Sequence, residues 1–295
     1  MKQNFLIVGG SGFIGRELHR RIKSIKMNVD VISLSSKEID LTNPNSAEYL
    51  NGIINQKTIV FICAGIKKQL GDNLETFEKN VSMILNSLKS EKLLSCQKTV
   101  FLSSAEVYGE NINNLDISEM TPCFPSSYYG LAKKHSEELL QLAYQKAGKN
   151  SLVMARMPLV YGPRESQNIY GPSGFTHSGL TQKNQVLWGD GLEKRNFLFI
   201  DDLIKALLFI SQSEFSGIIN IANSESNSFQ DIVNILKQKK LDLKLNLKPR
   251  TKEKVNQGYN ISCLKNIYPS FRPHSLQEGI DKLLTTIDRN KVEQT

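Results

Sequence analysis

The sequence has few of the residues that cross-link small folds or hold metals. Its four cysteines, at positions 63, 96, 123 and 263, are far apart, form no CxxC unit and have no histidine at ligand spacing. That pattern argues against both a disulfide framework and a metal centre. No apolar run is long enough to span a bilayer. The opening stretch MKQNFLIVGGSG carries only a short apolar run before its glycines, unlike a secretory signal, so a cytoplasmic protein without membrane attachment is expected. Repeats and low-complexity tracts are also missing. The lysines are scattered rather than gathered in a stripe, and no zinc knuckle or aromatic-rich RNA motif accompanies them. The net charge of +8 is therefore better matched to a small anionic ligand such as a diphosphate than to nucleic acid.

What the sequence does have is alternation. A chain of 295 residues, 40% of them hydrophobic, can bury one large core or two moderate ones. Short β-branched runs (NFLIVGG, VDVISLS, TIVFICAG, TVFLSSAEVYG, SLVMARMPLVYG, GIINIANS) alternate with helical patterns such as IGRELHRRIKSIK and LETFEKNVSMILNSLKSEKLL. This order predicts an α/β fold, a doubly wound parallel sheet whose ligand lies beyond the carboxyl ends of the strands. Cys63 is expected in the core of one such strand. After Gly162 the segment PRESQNIYGPSGFTHSGLTQ, rich in Gly, Ser and Pro, reads as a loop carrying a short helix. From about Ser224 onward helices (FQDIVNILKQKK, SLQEGIDKLLTTI) outweigh strands.

The first strand-to-helix turn reads VGGSGFIGREL. Gly9 permits the tight turn, Gly12 lets the backbone approach a pyrophosphate, and Gly15 lets the helix pack on the strand, with Phe13 and Ile14 between them at the helix amino end. Chains that prefer NAD place an acid about 20 residues further on to bind the ribose hydroxyls. Here that region offers Ser33, Ser35, Ser36 and Lys37 instead, which suit a 2′-phosphate and favour NADP slightly over NAD. Asp40, with Leu41 beside it, is free to reach an adenine amino group. The expected division is a dinucleotide-binding domain over 1–163, to which 190–222 return. A smaller, mainly helical substrate lobe is expected from 164–189 and 223–295.

A further helix is signalled by FPSSYYGLAKKHSEELL. Pro125 ends the preceding segment, Ser126 and Ser127 are natural caps, and Gly148 is placed to stop the helix. Side chains four apart share a face, so Tyr129 meets Lys133, while Tyr128 meets Ala132 and Lys134 meets only Gly130. Taken alone, such a pair is an ordinary surface contact. Ser104, at another strand end and 25 residues before Tyr129, gives it a partner.

The ordered set GGSGFIG, SSAEVYG, YGLAK, RMPLVYGPR, GDGLEKRNFLFIDDL and NIANSESNSFQDIV resembles the extended short-chain dehydrogenase/reductases. Within them it is similar to the NAD-dependent epimerase/dehydratase family acting on nucleotide-linked sugars, over nearly the whole chain. The resemblance implies a Rossmann fold, a homodimer and a catalytic set of Ser104, Tyr129 and Lys133. In that set Ser104 would hold the reacting oxygen, Tyr129 would exchange the proton, and Lys133 would grip the nicotinamide ribose and favour the phenolate. It also implies that Cys63, Ala64 and Gly65 pass beside the cofactor, that Asn80 braces the site, and that Pro158, Leu159 and Val160 face the nicotinamide. Arg195 and Arg250 would pair with the diphosphate of the sugar nucleotide.

Two positions depart from the pattern. Leu159 stands where many sugar epimerases carry asparagine. Ser104, Ala105 and Glu106 stand where 4,6-dehydratases carry Thr, Asp and Glu, so the acid of that pair is missing and dehydration is disfavoured, while Glu106 is left to contact substrate hydroxyls. What remains is redox at C4 of the sugar, by a 4-epimerase or a 4-keto reductase. The alternative of another class is a non-catalytic dinucleotide sensor or scaffold, which would need the glycine turn but not Tyr129 and Lys133.

Overall fold

The computed structural model describes residues 3–25, 29–165 and 171–292. Six strands, β1 (Gln3–Val8), β2 (Val29–Leu34), β3 (Thr58–Ile62), β4 (Lys98–Leu102), β5 (Leu152–Arg156) and β6 (Gly217–Asn220), pair in the order β6-β5-β4-β3-β1-β2. Every pairing is parallel. The six β-branched runs of the sequence supply these strands. β3, β4 and β5 are buried along their whole length, which is why they read as continuous apolar runs rather than alternating ones. The edge strand β2 alternates instead.

Successive side chains feed opposite faces of the sheet. Phe5, Ile7, Phe61, Val100 and Val153 join one apolar cluster; Leu6, Val8, Val60, Phe101 and Met154 join the other. The first face is covered by helices α1 (Phe13–Ser24) and α7 (Ile200–Gln212), through Leu18, Ile22, Leu203 and Leu207. The second is covered by α3 (Leu74–Leu88) and α5 (Tyr128–Lys146), through Ile84, Leu140 and Tyr144. The remaining helices are α2 (Ser46–Ile53), α4 (Glu91–Ser95), α6 (Gly171–Thr181), α8 (Phe229–Gln238), α9 (Ser262–Ile267) and α10 (Leu276–Val292).

Register brings the strand ends level: Val8 stands opposite both Leu34 and Ile62, and Leu102 opposite Ala155. The chain leaves β1 for β2 on one side and returns to β3 on the other, so the loops after β1 and β3 diverge and leave a crevice at the sheet's carboxyl edge.

Two segments differ from the sequence reading. The stretch 74–95 is two helices, because the Ser90 hydroxyl accepts the Leu93 N–H at 3.3 Å and starts α4 afresh. The glycine-rich stretch after Gly162 holds the eleven-residue α6, nearly all of it buried. Packing on every side overrides its weak helix propensity. Residues 166–170 of that stretch lie outside the described set. Beyond Ser224, Asn227–Ser228, Lys244–Lys248 and Gln257–Tyr259 form short strands that each pair with an earlier segment of the chain. Phe175 of α6, Ile232, Val233 and Leu236 of α8, and Ile280 of α10 belong to the same apolar cluster as the first sheet face.

A buried ion pair joins α5 to the sheet. Arg156, at the end of β5, donates through Nε and Nη2 to the two oxygens of Glu137 at 2.9 and 2.6 Å, and both side chains are 1% exposed. Glu137 also accepts the Ser103 hydroxyl at 2.5 Å. The guanidinium lies 4.7 Å from the Tyr108 ring, whose hydroxyl donates to Asn220 beyond β6's core at 2.7 Å. Removing one charge from such a pair leaves the other uncompensated in the interior. Glu137→Gln is therefore expected to lower unfolding free energy by about 3–5 kcal/mol in urea titration; a loss under about 1 kcal/mol would mean that water reaches the guanidinium.

Candidate active site

The glycine turn is built by close backbone approaches. Gly9 has φ +89°, and a Cβ there would lie 2.5 Å from the Ala64 nitrogen. The Gly9 and Gly10 N–H groups both donate to the Leu34 carbonyl, at 2.8 and 2.7 Å. Gly10 was not among the expected residues, although the GG doublet signals it; a Cβ there would stand 2.0 Å from the Ser33 hydroxyl. A Cβ on Gly15 would meet the Gly9 carbonyl at 2.4 Å, so α1 rests directly on the turn. Gly12 is different. A Cβ on it would touch only the Gly9 carbonyl, at 3.3 Å, which leaves its outer face clear. Helix α1 starts there, at Phe13 and Ile14, with no side-chain cap and no acid in its first turn. Its amino-terminal donors are thus available to an anion. These residues fit the pyrophosphate of a dinucleotide.

At the adenosine end, Ser35 is already engaged. Its N–H donates to the Glu38 carboxylate at 2.7 Å and its hydroxyl donates to the same oxygen. Those hydrogen bonds hold the Glu38 carboxyl below its usual range. Ser36 and Lys37 are exposed. Asp40 accepts the Thr42 N–H and hydroxyl through one oxygen, at 2.9 and 2.7 Å, which leaves its second oxygen for a ligand. Leu41 is buried, and its carbonyl accepts the Asn86 amide at 2.9 Å. Glu38 is thus an acid beside Ser35, one position past the region from Ser33 to Lys37 in which an acid was sought.

At the crevice floor the Cys63 N–H donates to the Val8 carbonyl at 2.8 Å. Cys63 lies just past the end of β3 rather than within it, and burial pushes its thiol up to about 12, so it is no nucleophile at neutral pH. Ala64 backs Gly9. Asn80 accepts the Ile66 N–H at 2.7 Å and donates to the Ile66 carbonyl at 3.1 Å, which pins the backbone after Gly65. A Cβ on Gly65 would come 3.4 Å from the Lys133 Nζ. Pro158, Leu159 and Val160 are half-buried; the latter two belong to the short strand Leu159–Tyr161, paired with Phe197–Phe199.

Helix α5 brings Tyr129 and Lys133 to this edge. Ser127 caps it, accepting the Gly130 N–H at 3.0 Å, and Gly148 follows its end with φ +64°. Lys133 is 7% exposed and donates to the Leu102 carbonyl at 2.7 Å, while Lys134 pairs with Glu138 on the surface at 3.2 Å. Ser104, after β4, accepts the Glu106 N–H at 3.2 Å and stands near enough to the Tyr129 phenol to favour its ionised form.

The electrostatics differ from the expected phenolate stabilised by Lys133. Burial, and next the Glu106 charge, raise the phenol above its ordinary value; the nearby Ser104 hydroxyl opposes them. Lys133 lies 5.8 Å from the Tyr129 ring centre and is itself pushed down to about 8 by burial, which the Glu137 charge opposes only in part. Protein groups alone thus drive both side chains toward neutrality, and a phenolate requires further positive charge beside it.

The Glu106 carboxyl, raised chiefly by burial, accepts the Ser127 hydroxyl at 3.1 Å and lies 3.8 Å from Lys68. Lys68 also pairs with Glu110. Asp72, from the same loop, accepts the Tyr129 N–H at 3.0 Å, so the segment after β3 lies across the start of α5.

Arg195 and Arg250 are brought together, though each has a partner within the chain. Arg195 donates to the Val255 carbonyl and to Glu193, and Arg250 donates to the other Glu193 oxygen at 2.5 Å. Among the described residues no group of three or more His, Cys, Asp or Glu could hold a metal, and no helix is long and apolar enough to cross a membrane.

The sequence profile of the NAD dependent epimerase/dehydratase family matches residues 5–222. A protein of Methanocaldococcus jannaschii described as a putative UDP-glucose 4-epimerase is 30% identical over 254 residues, covering 79% of this chain and 81% of that one. GDP-mannose 3,5-epimerase 1 of Oryza sativa subsp. japonica is 26% identical over 259 residues, 80% of this chain and 68% of the other. The crystal structure of UDP-glucose 4-epimerase from Thermotoga maritima with UDP-glucose superposes with a TM-score of 0.84 over 98% of this chain and 99% of that one, at 23% identity. This last likeness is one of fold.

Lys133 carries a measurable signature. Its ammonium titrates at about 8 in the folded chain and at about 10.4 in an unfolded one. Between those values the unfolded state binds more protons, so stability rises with pH; below them both states are charged and the burial penalty is complete. The difference in unfolding free energy between wild type and Lys133→Met should therefore move in favour of wild type as pH rises from about 8 to about 10. Urea titrations across that window read it, and a flat difference would place the ammonium in solvent.

Proposed function

Because the chain belongs to the NAD dependent epimerase/dehydratase family, we propose that it oxidises and re-reduces C4 of a hexose linked to a nucleoside diphosphate, acting as a 4-epimerase. The observation that carries this reading is the convergence of Ser104, Tyr129 and Lys133 beside a glycine turn with an open helix amino end. A sensor or scaffold would need the turn but not the proton-handling groups. Ala105 is buried, with its N–H on the Met157 carbonyl, and supplies no acid for elimination of water. Residues 164–189 and 223–295, with Arg195, are read as the side that holds the sugar nucleotide.

A nicotinamide dinucleotide, when bound, would supply the hydride acceptor and, in its oxidised form, a positive charge that favours the phenolate. Tyr129 then takes the proton of the C4 hydroxyl as general base and returns it when the other face is reduced. Ser104 would orient the reacting oxygen, and Lys133, held by the Leu102 carbonyl, would hold the ribose. Glu106, beside Tyr129, faces the neighbouring hydroxyls and discourages early ionisation of the phenol. Arg195 and Arg250 are read as the diphosphate clamp, for which the planar guanidinium is suited. The adenosine end supports NAD over NADP, since the Glu38 carboxylate occupies the Ser35 donors that a 2′-phosphate would need.

Wild type should interconvert a UDP-hexose and its C4 epimer without added cofactor, and Tyr129→Phe should lower kcat by about 10²- to 10⁴-fold while the purified protein still yields nicotinamide nucleotide on denaturation. Turnover only with added NADPH and a 4-keto sugar nucleotide would instead identify a reductase.

Glu38→Gln should shift the NADP-to-NAD affinity ratio toward NADP by a few-fold, since it removes a negative charge from beside the Ser35 donors. An unchanged ratio in fluorescence titrations would remove Glu38 from the ribose site.

A further inference from the structure

One carboxylate stands inside the arginine pair, and its role is not exhausted by holding that pair in place. Glu193 spans Arg195 and Arg250, one oxygen on each guanidinium, and its side chain is 15% exposed. Two oxygens on one carbon reproduce the donor-facing edge of a phosphate group. We propose that Glu193 is a built-in counter-anion of the diphosphate seat, which competes with the nucleotide for the two arginines and so sets how tightly nucleotide is held and how fast it leaves. This inference rests on reading Arg195 and Arg250 as the diphosphate clamp.

Arg195 has anchors besides Glu193, whereas Arg250 has Glu193 as its hydrogen-bonded partner. Arg195 also donates to the Val255 carbonyl, and its backbone belongs to the short strand Lys194–Arg195, paired with Asn227–Ser228. Arg250 lies against Gly189, where a Cβ would come 3.1 Å from its Nε, and Asp190 stands 3.9 Å from its Nη2. The loop that carries the carboxylates is itself fixed. Gly189 and Gly191 take φ of +61° and +69°, Asp190 accepts the Leu192 N–H at 3.0 Å, and the Gly191 carbonyl accepts the Gln230 N–H at 2.9 Å. Glutamine at 193 would keep the shape of this side chain and remove its charge, which separates positioning from charge.

Charge balance gives that contribution a direction. Arg195, Arg250 and Lys254 face Glu193 and Asp190, with Lys254 3.3 Å from Asp190, so the cluster is one positive charge from neutral. A diphosphate carrying two negative charges overshoots this balance unless Glu193 withdraws. Apparent affinity is the intrinsic affinity scaled by the fraction of molecules in which the arginines are free. A carboxylate that keeps them occupied nine-tenths of the time weakens binding by about tenfold.

The test is calorimetric titration of UDP and of inorganic pyrophosphate into wild type, Glu193→Gln, Glu193→Ala, Arg195→Met and Arg250→Met. Both Glu193 variants should bind both probes about tenfold more tightly, and Glu193→Gln should release UDP correspondingly more slowly in stopped flow. A residue that merely orients the arginines would give weaker binding when replaced. Unchanged or weaker binding in whichever Glu193 variant folds, with the arginine variants weakened, overturns the counter-anion role alone. Arginine variants that bind UDP as tightly as wild type overturn the clamp assignment, and the present inference with it.

Discussion

The structure depends on one close approach, that of the Gly9 backbone to the peptide between Cys63 and Ala64. No side chain fits between them, so the turn after β1 and the strand end after β3 are locked at contact distance before any ligand is considered. The Cys63 N–H on the Val8 carbonyl and the Gly9 and Gly10 N–H groups on the Leu34 carbonyl tie three strand ends into one rigid floor. Everything that faces the crevice takes its height from that floor: the open start of α1, Gly65 beneath Lys133, and the Asn80 brace on Ile66. The parallel register sets the crevice, and this contact keeps it from drifting.

Helix α5 is the second fixed body, and its orientation follows from charge as much as from apolar packing. Tyr129, Lys133 and Glu137 recur every four residues along one face, and that face is buried. Burying a lysine is costly unless its donors are satisfied; the Leu102 carbonyl meets one of them, and burial weakens the charge itself. Burying Glu137 is offset by Arg156 and Ser103. The helix therefore cannot rotate about its axis without stranding a charge, and the phenol's direction is inherited from that constraint.

The fold was legible in the sequence because its signals are periodic. Parallel strands buried on both faces betray themselves as unbroken apolar runs, and the four-residue rule picked Lys133 over Lys134 before any coordinate was known; the structure buries the first and leaves the second paired with Glu138 on the surface. The rest depends on contacts that have no period. Glu38 folds back on Ser35 as a capping residue would, and nothing in the order Ser, Ser, Lys, Glu marks that contact. Glu193 meets Arg250 across 57 positions of chain. The phenol's electrostatics came out opposite to expectation because burial, which spacing cannot report, outweighs a lysine whose amine is turned to a carbonyl. Helix α6 was underestimated for the same reason, since its glycines and proline are held helical by their surroundings.

Phe175, Ile232 and Ile280 belong to the same apolar cluster as the first sheet face. Helices from the last third of the chain thus share one core with the sheet, and a shift of either against the other would have to break apolar contacts. On the epimerase reading proposed above, the sugar would have to turn over between walls joined by that common core.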